Sequence, residues 1–224
     1  MIIKKGEKVY RRYDKELLCI EPWGKNSLRV RATQLSNFQS DNYSALIDSE
    51  DSNVEIITDG KSAAIINGKI KCEVMVTGKL KFYNQNGELL LEEYDRNRMR
   101  DDIEGEFNSA LEIDPRTFRP HRGTNNFQLS VRFESCEEEK IYGMGQYQQP
   151  FLNVKGCTLE LAHRNSQASI PFALSSKGYG LLWNNPAIGK VNFARNVTEW
   201  IAYSTKQMDY WITAGDTPAE IEEA

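Results

Sequence analysis

At 224 residues, 40% of them apolar and 27% charged, the chain has the composition of a folded globular protein and excludes a disordered or fibrous one. A net charge of −4 argues against a phosphate-backbone partner, so no nucleic acid is expected. No apolar run approaches the ~20 residues of a membrane span, and Met1-Ile2-Ile3-Lys4-Lys5-Gly6 lacks the apolar core of a signal peptide, so we expect no membrane partner and a cytoplasmic location.

In chain order, Ser27-Leu28-Arg29-Val30-Arg31-Ala32-Thr33 alternates apolar and charged residues, the period of a strand with one buried face. A meander follows. Val54–Thr58, Ser62–Ile66 and Ile70–Thr77 read as strands joined by Asp59-Gly60 and Asn67-Gly68, both suited to two-residue hairpin turns that demand positive φ. Ile70, Cys72, Val74 and Val76 are expected on one face, with Lys71, Glu73, Met75 and Thr77 on the other. Asn86-Gly87 turns Lys79–Tyr83 into Glu88–Tyr94. The mixed charge run Arg96–Asp102 reads as a solvated loop, with sugar or anion contact as the alternative. Arg116–Pro120 then leads through His121–Asn126 into Phe127–Glu134, the cleanest alternation in the chain.

The stretch from Glu139 to Pro186 organises the rest. Gly143 and Gly145, two apart in Ile141-Tyr142-Gly143-Met144-Gly145-Gln146, suit positive φ at the end of a strand. Two polar loops follow, Gln146–Gly156 and Ala162–Ser169. Ile170–Ser175 and Leu181–Trp183 read as apolar strands turned by Lys177-Gly178-Tyr179-Gly180. Near the end, Thr217, Pro218 and Glu220 form a helix start with an N-cap, a first-position proline and a capping box. The sequence stops about two turns later, too soon for a helix to stand alone, so we expect truncation before a further domain. Many short strands with Gly-containing turns and almost no helical period predict an all-β protein, a large antiparallel β-sandwich.

The four cysteines, Cys19, Cys72, Cys136 and Cys157, are scattered without metal-ligand spacing and are expected as reduced buried thiols, although two disulfides remain compatible with the sequence. Asn42-Tyr43-Ser44 and Asn196-Val197-Thr198 match glycosylation sequons and are taken as chance.

YGMGQ at 142–146 followed by RNSQASIPFALSSKGYGLLWNNP at 164–186 resembles the N-terminal β-sandwich of glycoside hydrolase family 31, the α-glucosidases and α-xylosidases. IEPWGKNSLRVRAT near the start and DYWITAGDTPAEIEEA at the end fit as well, so the resemblance covers most of the chain. It implies a galactose-mutarotase-like supersandwich over residues 1–216, with 217–224 opening the helix that leads into a (β/α)8 catalytic barrel. The implied partners are that barrel and an α-linked oligosaccharide, with a homo-oligomer also open. The implied role is non-catalytic, with no cofactor and no metal. In the family, the loop before the IPF-like strand walls the aglycone side of the substrate pocket; here it carries His163, Arg164, Asn165 and Gln167, whose donors and acceptors suit sugar hydroxyls. Ordinary packing of that loop is the plain alternative.

Retaining glycosidases need two carboxylates ~5 Å apart. The family's nucleophile segment is absent: the nearest string, Gln207-Met208-Asp209-Tyr210-Trp211, lacks its Asn, so Asp209 is read as structural. Glu137 and Glu139 read as a surface charge run. Two other functions stay open. An aldose mutarotase would use His121 or His163 as acid and base, although both suit surface imidazoles. A carbohydrate-binding module would need Trp23, Trp183, Trp200 or Trp211 exposed as a platform, whereas Trp183 and Trp211 lie in core-strand patterns.

Overall fold

A computed structural model describes residues 1–39, 45–47, 52–96, 110 and 112–224. Eighteen strands run through the described residues: β1 (Ile2–Lys5), β2 (Lys8–Tyr13), β3 (Glu16–Pro22), β4 (Ser27–Thr33), β5 (Val54–Thr58), β6 (Ala63–Asn67), β7 (Ile70–Val74), β8 (Leu80–Asn84) and β9 (Leu89–Glu92) in the first part. The second part holds β10 (Arg116–Pro120), β11 (Phe127–Glu134), β12 (Ile141–Gln146), β13 (Thr158–Leu161), β14 (Ala168–Ser175), β15 (Tyr179–Trp183), β16 (Gly189–Phe193), β17 (Val197–Thr205), β18 (Met208–Ala214) and one helix, α1 (Pro218–Glu223). All strand pairs are antiparallel, in three sheets. The large sheet has the order β1-β2-β3-β4-β18-β15-β14-β12, the second β10-β11-β17-β16-β13, and the third β5-β6-β7-β8-β9. The fold is the all-β sandwich that the alternation predicts.

One apolar core joins the sheets. Tyr210 of β18 marks the meeting point: Phe133 of β11 and Phe82 of β8 both stand edge-on to its ring, at 5.8 and 6.4 Å. Trp183 of β15 stacks on Trp200 of β17 at 5.7 Å across the sandwich. Such aromatic pairs add to area burial and fix how the layers meet.

A buried charge cluster ties the same three sheets. Arg116 of β10 is bonded to Glu93, to Glu16 of β3 at 2.9 and 3.0 Å, and to the Gly78 carbonyl at 3.0 Å. Burial raises the Glu93 carboxyl pKa even though the Arg116 guanidinium opposes that rise. On the outward side of the large sheet, Arg29 of β4 forks onto Asp209 of β18 at 2.9 and 2.5 Å, with Trp23 over the guanidinium. Asp209 is therefore a buried structural anchor.

Several expectations need correction. Asp59-Gly60 sits in a four-residue loop, because Thr58 pairs with Ala63 and Asp59 gathers the amides of Lys61 and Ser62. Val76 is exposed: β7 stops at Val74, and Met75 begins a turn closed by the Gly78 amide. Glu139 lies inside, accepting from Ser175 at 2.6 Å and Tyr179 at 2.7 Å, with Lys155 at 3.2 Å. Cys19 and Cys72 are buried, whereas Cys136 is exposed and Cys157 half-buried; all four thiols are free. The capping box is offset by one residue: Thr217 accepts from Glu220 N, but the Glu220 carboxylate takes the Asp216 amide. Of the charge run, Arg96 pairs with Glu134 and stacks on Tyr94, while residues 97–102 lie outside the described residues, as does the Asn42 sequon.

Candidate functional site

The site is shaped by a kink in β12. Gly143, Met144 and Gly145 all have positive φ, at 90°, 71° and 90°. A side chain on Gly143 would meet the Phe172 carbonyl oxygen at 2.6 Å, and one on Gly145 the Ala168 oxygen at 2.2 Å, so only glycine fits either place. Met144 between them turns into the core. Gly143 faces Ala173 and Gly145 faces Ser169, so two steps on β12 answer four on β14. The surplus residues of β14 bulge outward at Ile170 and Pro171, where proline has no amide to add to a ladder.

The bulge opens a cleft of about 550 Å3. Its floor is apolar, including Ile170, Pro171, Leu182, Ala187 and Ile188, and His163 stands on its rim. Two asparagines also line it, but their polar atoms are engaged. Asn184 donates to Asp209 at 3.1 Å and accepts from the Ala45 amide; Asn185 donates to Thr205 and the Gln207 carbonyl and accepts from the Ala187 amide.

The rim is a tight turn. Arg164 and Gln167 exchange backbone bonds at 3.2 and 3.1 Å, leaving Asn165 and Ser166 at the tip. His163 Nδ1 accepts the Ser169 amide at 3.3 Å, so a neutral ring carries its proton on Nε2. Ser169 in turn lies 2.9 Å from the Tyr147 hydroxyl, which donates to the Glu160 carbonyl at 2.7 Å. Burial raises the Tyr147 pKa. Arg164 pairs with Glu160 in the open, and Gln167 Nε2 donates to the Ala162 carbonyl at 3.2 Å. Asn165 is exposed and makes no hydrogen bond among the described residues.

The structure thus brings His163, Arg164, Asn165 and Gln167 into one turn, but onto different walls. His163 lines the cleft, Gln167 lines a separate shallow depression with Tyr147 and Glu160, and Arg164 and Asn165 line neither. Sequence reading missed Tyr147 and Ser169, which hold the turn, and Asn184 and Asn185, which close the cleft. The Asn-Asn-Pro string directly after an apolar strand was the available signal.

Other chemistry finds little support. His121 is exposed and bonds the Tyr203 carbonyl at 2.7 Å, and neither histidine has a carboxylate partner among the described residues. Trp183, Trp200 and Trp211 are buried, and Trp23 is half-buried over Arg29, so none forms an open platform.

A three-sheet antiparallel supersandwich with a glycine-kinked strand and a polar turn beside an apolar cleft defines the class to which this chain belongs. The chain belongs to the glycosyl hydrolase 31 N-terminal galactose mutarotase-like domain family, whose model matches residues 17–192. It is 50% identical over 226 residues to an uncharacterised family 31 glucosidase of Pseudescherichia vulneris, covering 98% of this chain and 42% of that protein. Its structure is similar to that of a GH31 α-xylosidase from a soil metagenome in complex with xylose, with a TM-score of 0.93 and 52% identity over 99% of this chain and 33% of the other. α-Xylosidase A of Aspergillus niger is 27% identical over 217 residues, which is 89% of this chain and 28% of that enzyme. The chain spans less than half the length of each of these relatives.

Proposed function

We propose that this chain is the non-catalytic N-terminal sandwich of a cytoplasmic retaining α-glycosidase, an α-xylosidase or α-glucosidase. Its work is to support a catalytic barrel and to lend the turn at 163–167 to the aglycone side of the substrate pocket. The observation that carries this reading is the family match over residues 17–192 together with relatives named as α-xylosidases. The turn suits the task chemically. Asn165 offers an uncommitted amide, and His163 offers Nε2–H as a donor once Nδ1 is engaged.

The test is an exchange: this chain replaces the matched 42% of the Pseudescherichia vulneris relative, and the hybrid is assayed on an α-linked disaccharide and on an aryl α-glycoside. Asn165→Ala should weaken kcat/KM on the disaccharide more than on the aryl glycoside, which has fewer hydroxyls to bind. Equal losses on both substrates would reduce the turn to packing.

A further inference from the structure

The two legs of the turn at 163–167 stand in different sheets. The incoming leg, β13, is the edge strand of the second sheet, and the outgoing leg, β14, belongs to the large sheet. No ladder joins them below the single bridge between Arg164 and Gln167. The ladder with β12 does not settle the outgoing leg either, because its register breaks just past Ser169, where the bulge begins. Tyr147, the residue directly after β12, closes the gap. Its hydroxyl lies 2.7 Å from the Glu160 carbonyl on β13 and 2.9 Å from Ser169 Oγ on β14, a crossbar between the legs.

The protons of this crossbar have one arrangement. A carbonyl oxygen only accepts, so the single Tyr147 proton goes to Glu160, and Ser169 Oγ–H must donate to Tyr147 Oη. Burial raises the Tyr147 pKa above the ordinary 10.0, so that proton is kept through the neutral range. Ser169 is thereby held twice: its side chain by Tyr147, its backbone amide by His163 Nδ1 at 3.3 Å. Ser169 is buried and His163 is exposed on the cleft rim, so the buried partner orients the exposed one. An imidazole without such a contact exchanges between two neutral tautomers, whereas this ring is limited to a donor at Nε2.

We propose that Tyr147 is a positioning residue: through Ser169 it fixes His163 as a hydrogen-bond donor on the cleft rim, so that the turn selects a ligand oxygen that accepts there, such as a sugar hydroxyl or a glycosidic oxygen. The inference rests on the reading that this turn faces the aglycone sugar. Tyr147 itself lines the other wall, so it acts on the cleft only through Ser169 and His163.

Histidine-ring 15N correlation spectra of the chain itself, at about pH 9 where an ordinary imidazole is neutral, read the tautomer. In the parent, His163 should show a protonated Nε2 and an acceptor Nδ1. Tyr147→Phe and Ser169→Ala each remove one hydroxyl, and both should move the His163 shifts toward the tautomer average of an unrestrained ring. Ser169→Thr keeps the hydroxyl and should retain the parent shifts. His121, whose Nε2 bonds the Tyr203 carbonyl instead, should be unchanged in all three. In the hybrid described above, Tyr147→Phe should raise KM for the α-linked disaccharide by about 2- to 13-fold, the worth of one hydrogen bond, with kcat and the aryl glycoside little changed. Identical His163 shifts in the parent, Tyr147→Phe and Ser169→Ala overturn the proposal, whatever the hybrid does. If Tyr147→Phe loses the native spectrum, Ser169→Ala against Ser169→Thr decides the same question. Moved shifts with equal kinetic losses on both substrates uphold the link from Tyr147 to His163 and refute the place of the turn at the aglycone. A hybrid in which Asn165→Ala discriminates the two substrates and Tyr147→Phe changes nothing refutes the positioning role and spares the functional reading.

Discussion

Arg116 shows how much one residue carries when charge is buried. Its guanidinium serves Glu93, Glu16 and the Gly78 carbonyl, groups drawn from two other sheets. Arg116→Ala strands Glu93 in the core, and removing one partner of a buried pair costs about 3–5 kcal/mol. We expect a loss of that size in urea unfolding, with Arg116→Ala combined with Glu93→Leu recovering part of it. If Arg116→Ala unfolds like the parent, the cluster is ornamental. Rim residues differ in kind. Asn165→Ala should leave the unfolding midpoint unchanged, because its side chain has no bond to lose, whereas Gln167→Ala loses one bond worth about 0.5–1.5 kcal/mol. If Asn165 bonds a sugar hydroxyl as proposed, Asn165→Ala in the hybrid enzyme should lower kcat/KM by about 2- to 13-fold. A drop in stability that accounts for the whole effect would contradict this assignment.

At the scale of elements, the kinked β12 shapes the cleft beside β14, and the Lys69 clamp holds α1 over Gly180 of β15. Gly145→Ala drives a methyl group into the Ala168 carbonyl and retains a positive φ, so its cost should exceed the ~1 kcal/mol typical of glycine effects. The loss should appear first as faster amide exchange at Ser169 and Gln167. The Lys69 clamp gives a pH dependence. Its hydrogen bond and charge hold the Glu220 pKa below the ordinary 4.5, so the contribution is present above 4.5 and is lost as pH falls through the lowered value. The Lys69 pKa is raised above 10.5 by Asp216 and Glu220, so its contribution is lost only at pH above that range. Amide protection in α1 should therefore fall in acid in the parent and vary less with pH in Lys69→Met. An identical pH profile in both would refute the clamp.

The elements read most directly from sequence are those whose polar and apolar residues alternate or that turn signals bound. Ser27–Thr33, Val54–Thr58 and Phe127–Glu134 match β4, β5 and β11 residue for residue; in β11 the alternation records burial on one side, whereas in β4 it survives in the sequence because Arg29 is buried by pairing with Asp209. The chain from Ile2 to Pro22 offered no such record. In β3, Leu18, Cys19, Ile20 and Glu21 are all buried, Glu21 through pairing with Lys8 and Arg31, so the alternation vanishes. Glu139 looked like surface within Glu137-Glu138-Glu139 because its partners Ser175 and Tyr179 lie up to 40 residues away. The four rim residues were legible as a polar loop, and the placing of His163 and Gln167 on two separate walls was not. That split depends on the β14 bulge, which is a property of pairing.

For the whole molecule, one continuous core across three sheets predicts that the chain folds by itself, with a far-ultraviolet circular dichroism spectrum of strand type and little helix. A helix-dominated spectrum would contradict the architecture. On the proposed function, the sandwich serves a glycosidase without performing the chemistry. Its most direct test is the release of p-nitrophenol from α-xyloside and α-glucoside by the purified chain alone and by the hybrid carrying it, measured side by side. The chain alone should give no turnover, and the hybrid should turn over. Turnover by the chain alone, abolished by replacing a carboxylate within it, would contradict a non-catalytic role.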